Sequence, residues 1–291
     1  MKSLCIKTNN IKLLEYLLNE LKYSNLKEVC FSTNKFKHYH NIIIHYLGNN
    51  PNEFYSKLSN ILSFLVIDEL EDSILEKIIL QNYFYFNYDE RKEILNYYYS
   101  ILSDDYYEKF ESKFSSLYNS FLEYISENKS LVLNGFLNFR IQGYYKILNE
   151  IISESVNLYL MEKEYKEFIS LLRFYINSQS SNSNIVHLIC NSNENVLIDE
   201  NKNIINIYDE VFNAKYLSDI TFSSNDYILN TLLNLLPKKI YIHLLDNSIN
   251  EFITTLQLVF ENRVELCVDC DICKLYKNKN KNMEKGLSYN I

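Results

Sequence analysis

Apolar positions along the chain follow two different spacings, which divide it into helical and mixed parts. From Pro51 to about residue 179 they recur three and four residues apart, as on one face of a helix. Before Pro51, the runs Ser3–Lys7, Glu28–Thr33 and Asn41–Leu47 are rich in β-branched and aromatic residues and predict strands, with one helix between the first two. The first fifty residues therefore predict a small α/β unit, and the middle of the chain predicts a bundle of helices.

The last third of the chain alternates between strand and helix signals. Ile185–Cys190 and Asn195–Ile198 predict a hairpin. Lys239–Leu244, Ser248–Phe260 and Arg263–Val268 then predict strand, helix and strand in close succession. A unit of this kind holds its two strands parallel and joins them by a right-handed crossover.

These patterns predict a predominantly helical α+β fold, in which a central helical bundle is flanked by a small N-terminal α/β unit and a C-terminal αβ part with a βαβ unit. The predicted domains are 1–50, the α/β unit; 51–182, the helical domain; and 183–273, a mixed α/β domain that ends in a cluster of cysteines. A further helix is predicted at Ile207–Leu217. Residues 274–291 are rich in Lys and Asn and predict a disordered tail.

Composition and charge narrow the class of protein. With 47% hydrophobic residues, disorder over most of the chain is excluded. The formal net charge of -8 argues against a nucleic-acid binder, which usually carries a basic surface. Apolar runs stay far below the ~20 residues of a membrane helix, and no secretory signal is recognisable. We therefore expect a soluble cytoplasmic protein without membrane insertion, whose six cysteines remain thiols or bind a metal.

Three cysteines near the end of the chain form the most specific chemical signal. Cys267, Cys270 and Cys273 follow one another three residues apart, so their sulfurs can converge where the backbone curls around a centre. Thiolates grouped in this way bind zinc or iron. The spacing also matches the first three ligands of a bacterial ferredoxin, but Lys277 stands where a fourth cysteine would follow. The cluster predicts zinc or an iron–sulfur cluster, with a fourth ligand from elsewhere.

The predicted βαβ unit offers that fourth ligand. Parallel strands end at the same edge of a sheet, and ligand sites favour that edge. His243 lies near the end of one strand and Cys267 near the end of the next, so we expect the imidazole to meet the thiols there. Cys190, at the end of another predicted strand, is the alternative fourth ligand. A simpler interpretation also stands, in which the three cysteines are reduced thiols in a C-terminal loop.

A charged segment of the helical domain predicts structural ion pairs. Arg140 and Arg173 stand between apolar residues, where a guanidinium needs a planar partner. Glu162, Glu164 and Glu167 lie on a predicted helix and supply carboxylates. We expect each arginine to bridge to one of these glutamates and so to lock two helices together.

No recognised catalytic motif is present in the sequence. The chain has 4 glycines, which nearly excludes loops that cradle phosphates, and it carries no His-Glu-x-x-His motif and no Gly-x-Ser-x-Gly elbow. We therefore assign no catalytic residues and favour a protein that is not an enzyme.

Several segments resemble motifs of the YtxC-like family, sporulation proteins of endospore-forming Firmicutes. Asn134–Arg140 resembles the start of a central motif of that family, and Glu162–Phe174 resembles its continuation. Pro237–His243 and Arg263–Cys273 resemble its C-terminal part. The chain departs from the family at Asp269, where glycine is usual. The resemblance implies a cytoplasmic, sporulation-linked role, and it implies no known reaction.

Three functions follow as hypotheses of different classes. The first is a sporulation-associated protein that is stapled by a metal and acts by binding a protein partner. The second is an enzyme that uses a thiol or an iron–sulfur centre. The third is an RNA- or DNA-binding module, which would use the tyrosines and the Lys-rich tail and which the net charge disfavours.

Overall fold

The computed structural model describes residues 2–24, 28–37, 39–191, 195–206, 223–246 and 248–277. The chain folds into two compact units, residues 1–162 and residues 163–291. The finer division predicted from the sequence, with boundaries at 50, 182 and 273, stays a prediction. The predicted helix at Ile207–Leu217 and residues 278–291 of the predicted tail lie outside the described residues.

The first unit contains a four-stranded sheet with the spatial order β2-β3-β1-β4. The strands are β1 (Lys2–Thr8), β2 (Val29–Lys35), β3 (His40–Tyr46) and β4 (Ser130–Val132). β3 runs antiparallel to both β1 and β2, whereas β4 runs parallel to β1. Helix α1 (Ile11–Tyr23) follows β1, so the predicted N-terminal α/β unit is present.

Helices make up most of the remaining first unit, as the apolar spacing predicts. They are α2 (Pro51–Glu69), α3 (Glu71–Asn82), α4 (Tyr88–Asp104), α5 (Tyr106–Glu127), α6 (Leu133–Arg140) and α7 (Gln142–Ser178), whose last part belongs to the second unit. Local signals explain where they begin. The side chain of Asn50 accepts a hydrogen bond from the N–H of Glu53, with Pro51 in the first turn of α2. The fold is therefore a predominantly helical α+β fold.

A buried polar network lies among these helices. Glu71 accepts hydrogen bonds from the hydroxyls of Tyr98 and Tyr144, and its Oε1 lies 2.6 Å from Nζ of Lys113. All four side chains are buried. Burial and the neighbouring Glu71 carboxylate raise the pKa of both tyrosines, so both hydroxyls stay protonated as donors. The network joins α3, α4, α5 and the first part of α7.

The second unit contains a four-stranded sheet with the order β6-β5-β7-β8. Its strands are β5 (Ser183–Cys190), β6 (Val196–Asp199), β7 (Pro237–Leu244) and β8 (Val264–Cys267). β5 and β6 form the predicted antiparallel hairpin, while β5, β7 and β8 are parallel to one another. Helix α8 (Ser224–Leu235) precedes β7.

The βαβ unit predicted near the end of the chain is confirmed. Helix α9 (Glu251–Phe260) connects β7 to β8, and the two strands pair in parallel. A last helix, α10, covers residues 271–277. It includes residues 274–277, so the beginning of the predicted disordered tail is helical instead.

Two residues with positive φ end the helices that precede the two strands of the βαβ unit. Leu236 ends α8 with a φ of 43°, and Pro237 begins β7 directly after it. Glu261 ends α9 with a φ of 46° and turns the chain toward β8. Residues with a Cβ lose roughly 1–2 kcal/mol in the left-handed region, so packing must hold both. Leu236 is buried in the core of the unit, and Arg173 holds the Glu261 carboxylate at 3.2 Å.

In the part of the chain that the structure describes, Arg140 and Arg173 do not pair with the glutamates predicted from the sequence. Arg173 contacts Glu261 and donates from Nε to the carbonyl of Leu258 at 2.6 Å, which joins α7 to the end of α9. Arg140 lies over the ring of Tyr124, with 5.9 Å between Cζ and the ring centroid, which joins α6 to α5. Each arginine does link two elements, but neither uses the expected glutamates among the described contacts.

The course of α7 explains this correction. Glu162, Glu164 and Glu167 lie on the same continuous helix as Arg173, between six and eleven residues before it. Side chains on one helix meet when they are three or four residues apart, so these carboxylates and Arg173 do not meet. Arg140 precedes α7, and at 1.5 Å per residue these glutamates begin about 30 Å along that helix.

Along the described part of the chain, none of the helices combines the length and the apolar character needed to span a bilayer.

Candidate metal centre

The register of the parallel strands brings two of the predicted ligands side by side. His243 of β7 pairs with Cys267 of β8, and on its other side it pairs with Ile189 of β5. Directly paired residues present their side chains to the same face of a sheet. The imidazole and the first thiol therefore share one face near the carboxyl ends of these strands.

A turn after β8 returns the other two thiols to that face. The chain leaves the sheet at Cys267, and helix α10 begins directly after Cys270. The N–H of Cys273 donates to Sγ of Cys270 at 3.5 Å, and the N–H of Lys274 donates to the carbonyl of Cys270 at 2.9 Å. This tight first turn points Cys273 inward, where it is completely buried.

The four ligand atoms of His243, Cys267, Cys270 and Cys273 converge, and all lie within 4.8 Å of one another. Sγ of Cys273 lies 3.8 Å from Sγ of Cys267 and 3.6 Å from Sγ of Cys270. Nδ1 of His243 lies 3.3 Å from Sγ of Cys273 and 3.4 Å from Sγ of Cys270. One imidazole nitrogen and three sulfurs thus form a group that could hold a metal ion.

The group lies against a small apolar cluster, separate from the main core of the unit. Ile189, Ile198 and Leu245 are buried there beside Cys273, and Ile272 and other partly buried side chains pack against them. Apolar surroundings restrict access of water to the sulfurs and lower the local dielectric constant. Cys267 and Cys270 remain partly exposed, so the cluster opens to solvent on one side.

The protonation of His243 suits a metal ligand. Burial, and next the adjacent His187, lower the pKa of His243 to about 4, so its imidazole is neutral at pH 7. Nδ1 faces the sulfurs, while Nε2 lies 3.0 Å from Nδ1 of His187. Burial also lowers the pKa of His187, with Lys202 contributing. A neutral imidazole has one nitrogen with a free electron pair, which a metal requires.

The thiols differ in how readily they ionise. Burial opposes ionisation of Cys270, but hydrogen bonds, above all from the N–H of Cys273, outweigh it and lower the pKa of its thiol. Burial and the two neighbouring thiols raise the pKa of Cys267 to about 12. Cys270 therefore ionises more readily than Cys267, and a cation would have to displace the proton of the Cys267 thiol.

Cys190, the alternative fourth ligand, lies apart from this group. It pairs with Leu244, one position beyond the pairing of Ile189 with His243. Since successive residues of a strand point to opposite faces, Cys190 faces the main core on the other side of the sheet. Burial there raises the pKa of its thiol to about 12.

Sequence reasoning missed His187. The alternation of side chains along β5 already places His187 and Ile189 on one face of the strand. In the structure His243 pairs with Ile189, which brings His187 and His243 to the same face of the sheet. Recognising this required the register between β5 and β7, two strands separated by about fifty residues of sequence.

Comparison with known proteins gives a family and one curated relative. A model of the YtxC-like family matches residues 56–265. The match includes His243 and ends just before Cys267. "Uncharacterized protein YtxC" of Bacillus subtilis (strain 168) is 24% identical over 131 residues, which is 44% of this chain and 44% of that protein. The aligned part thus spans less than half of the relative. No solved structure matches the chain. The family model matches most of this chain's length, so the chain belongs to the YtxC-like family.

Proposed function

We propose that this protein is a non-catalytic, metal-stapled protein that holds one zinc ion through Cys267, Cys270, Cys273 and Nδ1 of His243. The convergence of these four ligand atoms carries the proposal. Three thiolates and one imidazole are a standard ligand set for structural zinc.

The spacing of the ligand atoms favours a single ion over a cluster. A tetrahedral ion with Zn–S bonds of about 2.3 Å sets its sulfurs about 3.8 Å apart. The sulfur of Cys273 lies 3.8 and 3.6 Å from the other two sulfurs. An iron–sulfur cluster distributes its cysteines over several irons and holds them farther apart. The enzyme hypothesis based on such a cluster is therefore the weaker alternative.

The ligand count favours a structural role over catalysis. Catalytic zinc keeps one position open for water or substrate, whereas structural zinc is closed by four protein ligands. Here four side chains are available, and both His243 and Cys273 are buried. An ion at this place would fasten α10 to the face formed by β7 and β8.

We also propose a cytoplasmic, sporulation-associated role that is exerted through a protein partner. The resemblance of the chain's motifs to the YtxC-like family implies this association with sporulation, and the model of that family matches residues 56–265. Leu171 and Phe174 lie three residues apart on the last part of α7 and are 68% and 73% exposed, so their apolar side chains are neighbours on one face of the helix. Contiguous exposed apolar surface often marks a site that binds another protein.

Elemental analysis of the purified full-length chain, together with an absorption spectrum, tests the metal. We expect about one zinc per chain and a colourless protein. Cys267→Ser, Cys270→Ser and Cys273→Ser should each lose most of the zinc, because serine does not replace a thiolate ligand.

Two other cysteines provide matched controls. Cys30→Ser changes an exposed thiol on β2, and Cys190→Ser changes the buried thiol on the opposite face of the second sheet. Both variants should keep their zinc. Wild-type protein without zinc would contradict the proposal, and a brown protein that bleaches on reduction would favour the iron–sulfur enzyme.

A further inference from the structure

A second histidine contacts the candidate metal centre from the adjacent strand. Nδ1 of His187, on β5, lies 3.0 Å from Nε2 of His243, on the side of the ring away from the sulfurs. Nδ1 of His243 is directed at Cys270 and Cys273. The two nitrogens of one imidazole therefore have separate partners, one histidine and one group of thiols.

The direction of the hydrogen bond follows from the chemistry of the ring. Nδ1 of His243 can bind a metal only if it carries no proton, which places the proton of the neutral ring on Nε2. Nε2–H then donates to Nδ1 of His187, which acts as the acceptor and carries its own proton on Nε2. Ligating histidines are commonly oriented through their second nitrogen in this way.

We propose that His187 is a positioning residue of the metal centre: it accepts the Nε2–H of His243 and so fixes the tautomer and the ring orientation that direct Nδ1 toward the three sulfurs. This inference rests on the proposed function, because it assigns a role to a residue that supports the same zinc ion.

The position of His187 in the fold suits an orienting residue. β5 is an interior strand of the sheet, paired with both β6 and β7, so its backbone is held on two sides. The ring of His187 stacks on Tyr241 with centroids 5.4 Å apart, and its centroid lies 5.2 Å from that of His243. Ring stacking and hydrogen bonding are two separable ways in which His187 could support the site.

Two substitutions of His187 separate these roles. His187→Asn removes the ring but keeps an acceptor, since Oδ1 of asparagine lies close to where Nδ1 stands. His187→Phe keeps a flat ring but offers no acceptor. If the hydrogen bond positions His243, asparagine should preserve zinc affinity, and phenylalanine should weaken it about 10- to 100-fold. If His187 only packs, the order of the two variants should be reversed.

Zinc affinity is measured on the full-length chain by competition with a chromophoric chelator. The Nε2–H of His243 is observed in parallel by 1H–15N NMR of the zinc-loaded protein. The NMR signal should persist in wild type and in His187→Asn, and it should be lost to exchange in His187→Phe. His45→Ala is the control, because His45 hydrogen-bonds Ser3 at 2.8 Å in the first sheet and should leave zinc affinity unchanged.

The outcomes distinguish this inference from the function on which it rests. Wild-type protein that binds no zinc refutes both. Wild type and His187→Phe binding zinc within twofold of each other would refute the positioning role alone and leave the zinc site intact. Far-UV circular dichroism checks that each variant keeps its fold.

Discussion

At the scale of single residues, the buried carboxylate of Glu71 depends on the positive charge of Lys113 for its stability in the folded protein. A buried charge is tolerated when it is paired and hydrogen-bonded, and Glu71 has a lysine and two tyrosine hydroxyls around it. Removing the lysine would leave a carboxylate with only neutral donors in an apolar setting. The same charges at the surface would matter little.

We predict that Lys113→Met lowers the free energy of unfolding by about 3–5 kcal/mol, because it leaves the Glu71 carboxylate buried without its cation. Lys109→Met on the same helix is the matched control. Lys109 contacts the exposed carboxylates of Asp105 and Glu154 at 3.6 Å, and its loss should cost no more than about 1 kcal/mol. Urea unfolding followed by circular dichroism measures both, and equal losses would contradict the prediction.

At the scale of elements, α10 is too short to be stable by its own backbone hydrogen bonds. It covers residues 271–277, whereas isolated helices shorter than about 12–15 residues are marginal in water. Its contacts with the sheet include Cys273, which is buried beside His243. A metal that binds Cys270 and Cys273 together with two residues of the sheet would supply the missing stability.

We predict that zinc removal by a chelator releases α10 while the sheet persists. Amide hydrogen exchange at residues 271–277 should become much faster, because the apo thiols no longer anchor the helix. Residues 240–243 of β7, which pair with strands on both sides, should keep their protection and serve as the internal control. Unchanged exchange at residues 271–277 after zinc is lost would refute the claim that zinc holds α10 against the sheet.

At the scale of the whole molecule, the net charge disfavours a nucleic acid as the partner. The chain carries 37 acidic and 29 basic residues, and its formal net charge is -8. A nucleic-acid backbone is polyanionic, so its approach to an acidic surface is unfavourable unless basic groups are concentrated in one place.

We predict that the full-length chain binds mixed-sequence RNA or DNA no more tightly than an acidic carrier protein does. Fluorescence anisotropy at 50 and 200 mM salt tests this. Tight binding that weakens steeply with salt would overturn the prediction, because phosphate contacts release counterions. Loss of such binding in a chain that ends at residue 277 would then assign it to the Lys-rich tail.

Local pattern is a good guide to this protein wherever one segment contains all the information. The βαβ unit was predictable because strand, helix and strand follow one another within about thirty residues, and a right-handed crossover then requires parallel strands. The arginine partners were not predictable. Glu261 meets Arg173, and Tyr124 meets Arg140, only because separate elements pack against each other, and the apolar spacing within one segment does not specify that packing.

The sequence by itself determined which segments form helices and which form strands, and it spaced three thiols three residues apart. It also indicated the carboxyl ends of the parallel strands as the place where these thiols gather. All of these follow from short-range periodicity and covalent spacing. Only the tertiary structure decided that His243 faces the sulfurs and Cys190 does not, that His187 lies behind His243, and that Glu71 meets Lys113. These choices depend on strand register and helix packing between residues far apart in the chain, where a shift of one residue turns a side chain to the opposite face.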